Sequence, residues 1–178
     1  MSTVALTFAI ALATVLTTAA LHKLRAGERF AAQLAAYQLL PEAWPLSTLR
    51  RVGLGLAAVE LLLAAALLVP PAWPLAATGT AALLALYLAA MAVNLLRGRH
   101  QIDCGCGDQP QPLSAALLAR NLVLIFAALL IALAEPTAGL RDCLVALPAS
   151  VVLVLIYTAA EQLLANASVL VPREAPDE

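Results

Sequence analysis

Residues 113–134 read LSAALLARNLVLIFAALLIALA and are stopped by Glu135 and Pro136. As a helix, an apolar run of this length spans a hydrocarbon core about 30 Å thick, which takes roughly 20 residues at 1.5 Å each. Outward from it lie four comparable runs: Thr3 to Leu21, Val52 to Val69 ended by Pro70 and Pro71, Leu75 to Leu96, and Leu144 to Leu164 with Pro148 in its first turns. Lipid offers no partner for backbone N–H and C=O groups, so each run is predicted to be helical. The chain is 63% hydrophobic and 12% charged, against about 25% charged in an ordinary soluble domain. The fold class is an all-α integral membrane protein, a bundle of about five transmembrane helices. One domain is expected over residues 1–165, followed by a disordered polar tail over 166–178. With a net charge of −1 and no basic stretch, nucleic-acid binding is set aside. There is no phosphate-binding glycine loop and no solenoid repeat. The first run has its charges behind it, which reads as a retained helix rather than a signal peptide.

Lys and Arg set the orientation. Lys23, Arg25, Arg29, Arg50 and Arg51 follow the first run, Arg97 and Arg99 follow the third, and Arg173 lies in the tail. With five spans these fall on one side, and Arg141 alone faces the other. The N-terminus is therefore expected outside, and the loop after the third span and the C-terminus in the cytoplasm. Between the first two spans, Phe30, Leu34, Tyr37 and Leu40 recur at helical spacing, which predicts a short interfacial helix over 28–40. Trp44 and Trp73 read as interfacial anchors on the two faces.

Charges inside the spans carry more information. Glu60 and Arg120 both lie about 10 to 12 Å below the expected cytoplasmic face. An unpaired charge at that depth costs several kcal/mol, so the two are expected to pair. Asn94 and Asn121 extend a polar network, and His22 and Glu161 gather in the same leaflet. A structural ion pair that only locks the helices together is the plain alternative.

That leaflet faces RGRHQIDCGCGDQPQP, residues 97–112. Three uses of Cys104 and Cys106 compete. A metal site would draw on Cys104, Cys106 and His100 with Asp103 or Asp108, a crowded set. An inert role suits buried cysteines better than a polar loop. Redox chemistry needs two close thiols. One intervening Gly105 makes a small, strained, exchange-prone disulfide ring. Arg97, Arg99 and His100 favour a thiolate, and Asp103 and Asp108 oppose it. Cys143 falls at the opposite membrane face, roughly 30 Å away, and reads as an unreactive cysteine at a helix start.

The ordered set of HKLR, an F and Y-LLP, AAVELLLA, NLLRGR, DCGCG and ARNLVL over residues 8–134 resembles the MauE family, which is similar to the broader DoxX-like group of helical bundles. The family reads Cys-Gly-Cys-Phe-Gly, and here Gly107 follows Cys106 directly. The resemblance implies a DoxX-like four-helix core plus one helix in the bacterial plasma membrane. It also implies a redox-associated protein serving maturation of methylamine dehydrogenase with a thioredoxin-like partner, MauD. It makes Cys104 and Cys106 the exchanging pair of a possible thiol–disulfide oxidoreductase, and places His22, Lys23, Glu60, Arg120 and Asn121 in the polar framework. Reoxidation by a membrane quinone would suit an apolar cleft near the thiols. A soft-metal or small-solute transporter using the same thiols and charges is the alternative class.

Overall fold

The computed structural model describes residues 2–41, 43–99, 102 and 112–170. Among them, regular structure is helical: α1 (Ser2–Arg25), α2 (Gly27–Tyr37), α3 (Leu46–Leu67), a 3-10 turn (Pro70–Ala72), α4 (Trp73–Leu96), α5 (Ala115–Ala132) and α6 (Leu140–Leu170). The hub is α1, which packs along α3 and α6 and also meets α5; α4 pairs with α5, and α2 lies on α3.

Small residues hold these helices together. Ala5, Ala9, Ala13 and Ala20 of α1, Ala57 and Ala64 of α3, Ala76 and Ala77 of α4, and Ala128 of α5 are buried. Association in lipid gains little from hydrophobicity, because the tails are as apolar as leucine, so close approach and dispersion decide the interfaces. The large side chains point outward instead, among them Leu62, Val123, Phe126, Leu155 and Ile156. At Gly53 a Cβ would lie 2.8 Å from a Phe30 ring carbon, which brings α2 hard against α3.

Among the described residues, four stretches have the length and composition to cross a membrane: Ser2–Arg25, Pro70–Leu96, Ala115–Ala132 and Leu140–Asn166. The expected second span corresponds to α3, which carries Arg50, Arg51 and Glu60. Several boundaries differ from expectation. Pro45, extended at φ −67° and ψ 153°, precedes the first residue of α3, so Arg50 and Arg51 are helical rather than part of a gap. α1 continues past Leu21 to Arg25, because Lys23 has a buried partner. α6 runs to Leu170, into the stretch expected to be tail. Trp73 is fully buried and its indole N–H donates to the Leu67 carbonyl at 2.9 Å. It is a core residue rather than an interfacial anchor, since the turn at Pro70–Ala72 folds it back onto the end of α3. Trp44 stays 40% exposed.

At the N-terminal end of α1, the hydroxyls of Ser2 and Thr3 donate to the Asp142 carboxylate, which also accepts the Gly139 N–H at 2.9 Å. Cys143, half-buried against the core, lies at this end, opposite the end where α1 finishes.

Candidate functional site

Near the C-terminal end of α1, charged side chains from separate helices converge. Lys23 of α1 is 4% exposed and Glu60 of α3 is 0% exposed. The Lys23 ammonium donates to both Glu60 carboxylate oxygens, at 2.7 and 2.9 Å. Tyr87 of α4 donates its hydroxyl to the same carboxylate at 2.8 Å. The ammonium also lies 5.2 Å from the Phe30 ring centre and 5.4 Å from that of Tyr87, within the range of a cation–π attraction. A carboxylate this deep is tolerable only when its lone pairs are taken up, and here both oxygens are.

The Glu60–Arg120 pair expected from matched depth does not form. Glu60 is held by Lys23 and Tyr87, and Arg120 of α5 pairs with Glu161 of α6. Depth along a helix sets height and not facing, and the packing of α1 on α3 turns Glu60 toward Lys23. The two ion pairs nonetheless border one cavity of about 170 Å³, whose polar rim adds His22, Asn121 and Tyr157. Its apolar floor comes from Val15 and Leu16 of α1, Leu84 of α4 and Leu124 of α5. Asn121 donates to the Leu84 carbonyl at 3.4 Å, tying α5 to α4.

Asn94 is not part of this rim. It is fully buried and donates to the Ala90 carbonyl of its own helix at 3.1 Å. Its side-chain oxygen accepts from the Arg99 guanidinium at 3.4 Å, and Arg99 also donates to the Ala36 carbonyl of α2 at 3.3 Å. The backbone makes a Schellman cap: Gly98 at φ +72° donates to the Leu95 carbonyl at 3.0 Å, and the Arg99 N–H reaches the Asn94 carbonyl at 3.0 Å. Residue 98 must adopt the left-handed conformation, which glycine enters without a Cβ penalty. The Arg97-Gly98-Arg99 motif thus ends α4 and latches the departing chain to α2.

The loop it launches is closed at its base, where Leu113 N–H donates to the Ile102 carbonyl at 3.1 Å. Leu113 packs with Met91 and Leu117, flanked by Tyr37, Leu95, Ile102, Leu118 and Leu164. This apolar layer lies about one helical turn from the polar cavity, since Leu117 precedes Arg120 and Leu164 follows Glu161 by three residues each (roughly 5 Å of rise). Cys104 and Cys106, with His100, Asp103 and Asp108, lie outside the described residues. The metal alternative rests on those same positions.

Sequence reasoning missed Tyr87 and Tyr157. A tyrosine in an apolar run carries a hydroxyl that seeks a partner, and that signal was available.

A family model described as Methylamine utilisation protein MauE matches residues 1–134. The chain is 42% identical over 159 residues to the Methylamine utilization protein MauE of Paracoccus denitrificans, covering 86% of this chain and 83% of that one. It is 41% identical over 157 residues to that of Paracoccus versutus, covering 85% and 82%. It is 37% identical over 169 residues to that of Methylophilus methylotrophus, covering 89% and 85%. No solved structure matches.

Proposed function

Given that the chain belongs to the MauE family, we propose that it is a multi-pass membrane thiol–disulfide redox protein of methylamine utilisation. Its Cys104–Cys106 pair exchanges disulfides with a thioredoxin-like partner and so supports maturation of an exported disulfide-containing enzyme such as methylamine dehydrogenase. The supporting observation is the mounting of the loop. The Gly98 cap, the Arg99 latch to Asn94 and Ala36, and the Ile102–Leu113 hydrogen bond hold both feet of the Cys-Gly-Cys segment above a polar cavity.

In the exchange, one thiolate attacks a sulfur of the partner disulfide and releases the partner's second sulfur as a thiolate. The remaining cysteine then attacks the mixed disulfide, closing Cys104–Cys106 and leaving the partner as a dithiol. The reverse sequence reduces the pair.

The Lys and Arg distribution supports an external N-terminus with the loop and C-terminus in the cytoplasm. Labelling with a membrane-impermeant maleimide, with and without prior reduction, tests both parts in intact cells carrying only Cys104 and Cys106. Labelling that requires opened membranes supports the cytoplasmic loop. Labelling of intact cells reverses the topology and favours direct exchange with an exported partner. Labelling that never depends on reduction refutes the disulfide and turns attention to the thiols as soft-metal ligands.

A further inference from the structure

Arginines gather at the end of the bundle where α1 finishes, and they take no part in the polar cavity. Arg25 closes α1, and Arg50 and Arg51 lie early in α3. The 24 residues of α1 extend about 36 Å, more than a hydrocarbon core of about 30 Å takes up. That length puts Arg25 in the headgroup layer. Arg50 comes to the same corner, because its Nε lies 3.7 Å from where a Cβ on Gly27 would stand, two residues after Arg25. All three arginines are exposed, and none pairs with a carboxylate among the described residues. Glu28 is the single acid of α2, so the corner is cationic. Beneath Arg51 the outward face of α3 turns apolar. Leu54, Ala58 and Leu62 follow it at i+3, i+7 and i+11, the spacing of one helical face, and all three are exposed. Gly55 lies among them, and a Cβ there would meet nothing within 4 Å, so the track is open.

We propose that this corner holds an anionic phospholipid, its phosphate on Arg25, Arg50 and Arg51 and an acyl chain along Leu54 and Leu62. Charge complementarity selects the headgroup. Guanidinium forks donate paired N–H bonds to phosphate oxygens, and the ammonium of a zwitterionic headgroup is repelled by the same arginines. The apolar track below the cations selects a lipid over a free anion. Bound there, the lipid ties the end of α1 to the start of α3. Arg25 lies two residues beyond Lys23, so the tie also steadies the helix that carries the buried Lys23–Glu60 pair. The inference is independent of the thiol–disulfide reading and of which membrane face carries this end.

The test is native mass spectrometry of the full chain, released from micelles that hold phosphatidylglycerol and phosphatidylcholine in equal amounts. The expected result is one phosphatidylglycerol retained per chain. Three cations at the membrane surface, each strengthening anionic-lipid binding about fivefold, give a preference over phosphatidylcholine of about a hundredfold. The double variant Arg50→Gln, Arg51→Gln is expected to cut that preference to about fivefold, with the far-ultraviolet circular dichroism of the wild type. If that variant does not fold, the wild-type chain is measured at rising salt, where screening is expected to erode the preference. Equal retention of the two lipids overturns the proposal and leaves an acidic protein surface as the counterpart of the patch. A preference that survives loss of both arginines, or one that salt leaves unchanged, also overturns it. So does inorganic phosphate that displaces phosphatidylglycerol at equal concentration, which would make the corner a site for the free anion.

Discussion

Replacing Lys23 with methionine tests the buried pair most directly. The substitution keeps an unbranched apolar stem and removes the ammonium. Glu60, with no exposure, then loses two hydrogen bonds of 2.7 and 2.9 Å and keeps only that of Tyr87 at 2.8 Å. Removing one partner of a buried pair costs about 3–5 kcal/mol. The lower end applies, about 3 kcal/mol, because polar groups unfolded within lipid also find partners. Glu60→Met should cost less, about 2 kcal/mol, because Lys23 sits two residues from the end of α1 and its long stem can carry the ammonium toward the headgroups. The double variant leaves no charge to satisfy and should lie about 2 kcal/mol below wild type. The interaction energy is then about 2 − 3 − 2 = −3 kcal/mol. Equilibrium unfolding in mixed micelles with a rising fraction of SDS, followed by far-ultraviolet circular dichroism, measures all four corners of the cycle. Costs that add to within about 0.5 kcal/mol would refute the coupling. A Glu60 variant weaker than the Lys23 variant would refute the argument from position along α1.

Gly98→Ala should destabilise by about 1 kcal/mol, because it places a Cβ on a left-handed residue, and should speed amide exchange at Arg99 more than in the middle of α4. Gly53→Ala should lower stability by about 1–3 kcal/mol, read as a drop in thermal midpoint, since its Cβ would meet the Phe30 ring at 2.8 Å. Trp73→Phe should cost about 1–3 kcal/mol, because it leaves the buried Leu67 carbonyl without its indole donor; an effect below ~0.5 kcal/mol would show that water or backbone replaces that bond.

The membrane class and the apolar helices were legible in the sequence because a run such as 113–134 has one plausible solvent. The gathering of His22, Glu60, Arg120, Asn121 and Glu161 at one height of the bundle was legible as well, since rise along a helix is nearly constant. Which residues pair was not. Glu60 and Arg120 match in height, but each residue turns about 100° around its helix axis, and only the packing of α1 on α3 decides which carboxylate a given cation meets. Lys23 was grouped with the gap charges because the apolar run stops at Leu21, and the helix continues beyond it for the sake of Glu60. Trp73 was assigned to the interface by residue type, whereas a two-proline turn folds it inward. The role of Arg97-Gly98-Arg99 as a helix stop and latch follows from a positive φ that spacing alone does not reveal.

The pairing of Lys23 with Glu60 and of Arg120 with Glu161 has an electrical consequence. A membrane potential acts on a displaced charge with about 2.3 kcal/mol per elementary charge per 100 mV, but on a matched pair moving as a unit the two forces cancel. Movement of α5 and α6 together, with Arg120 and Glu161 still joined, therefore does no net work against the field.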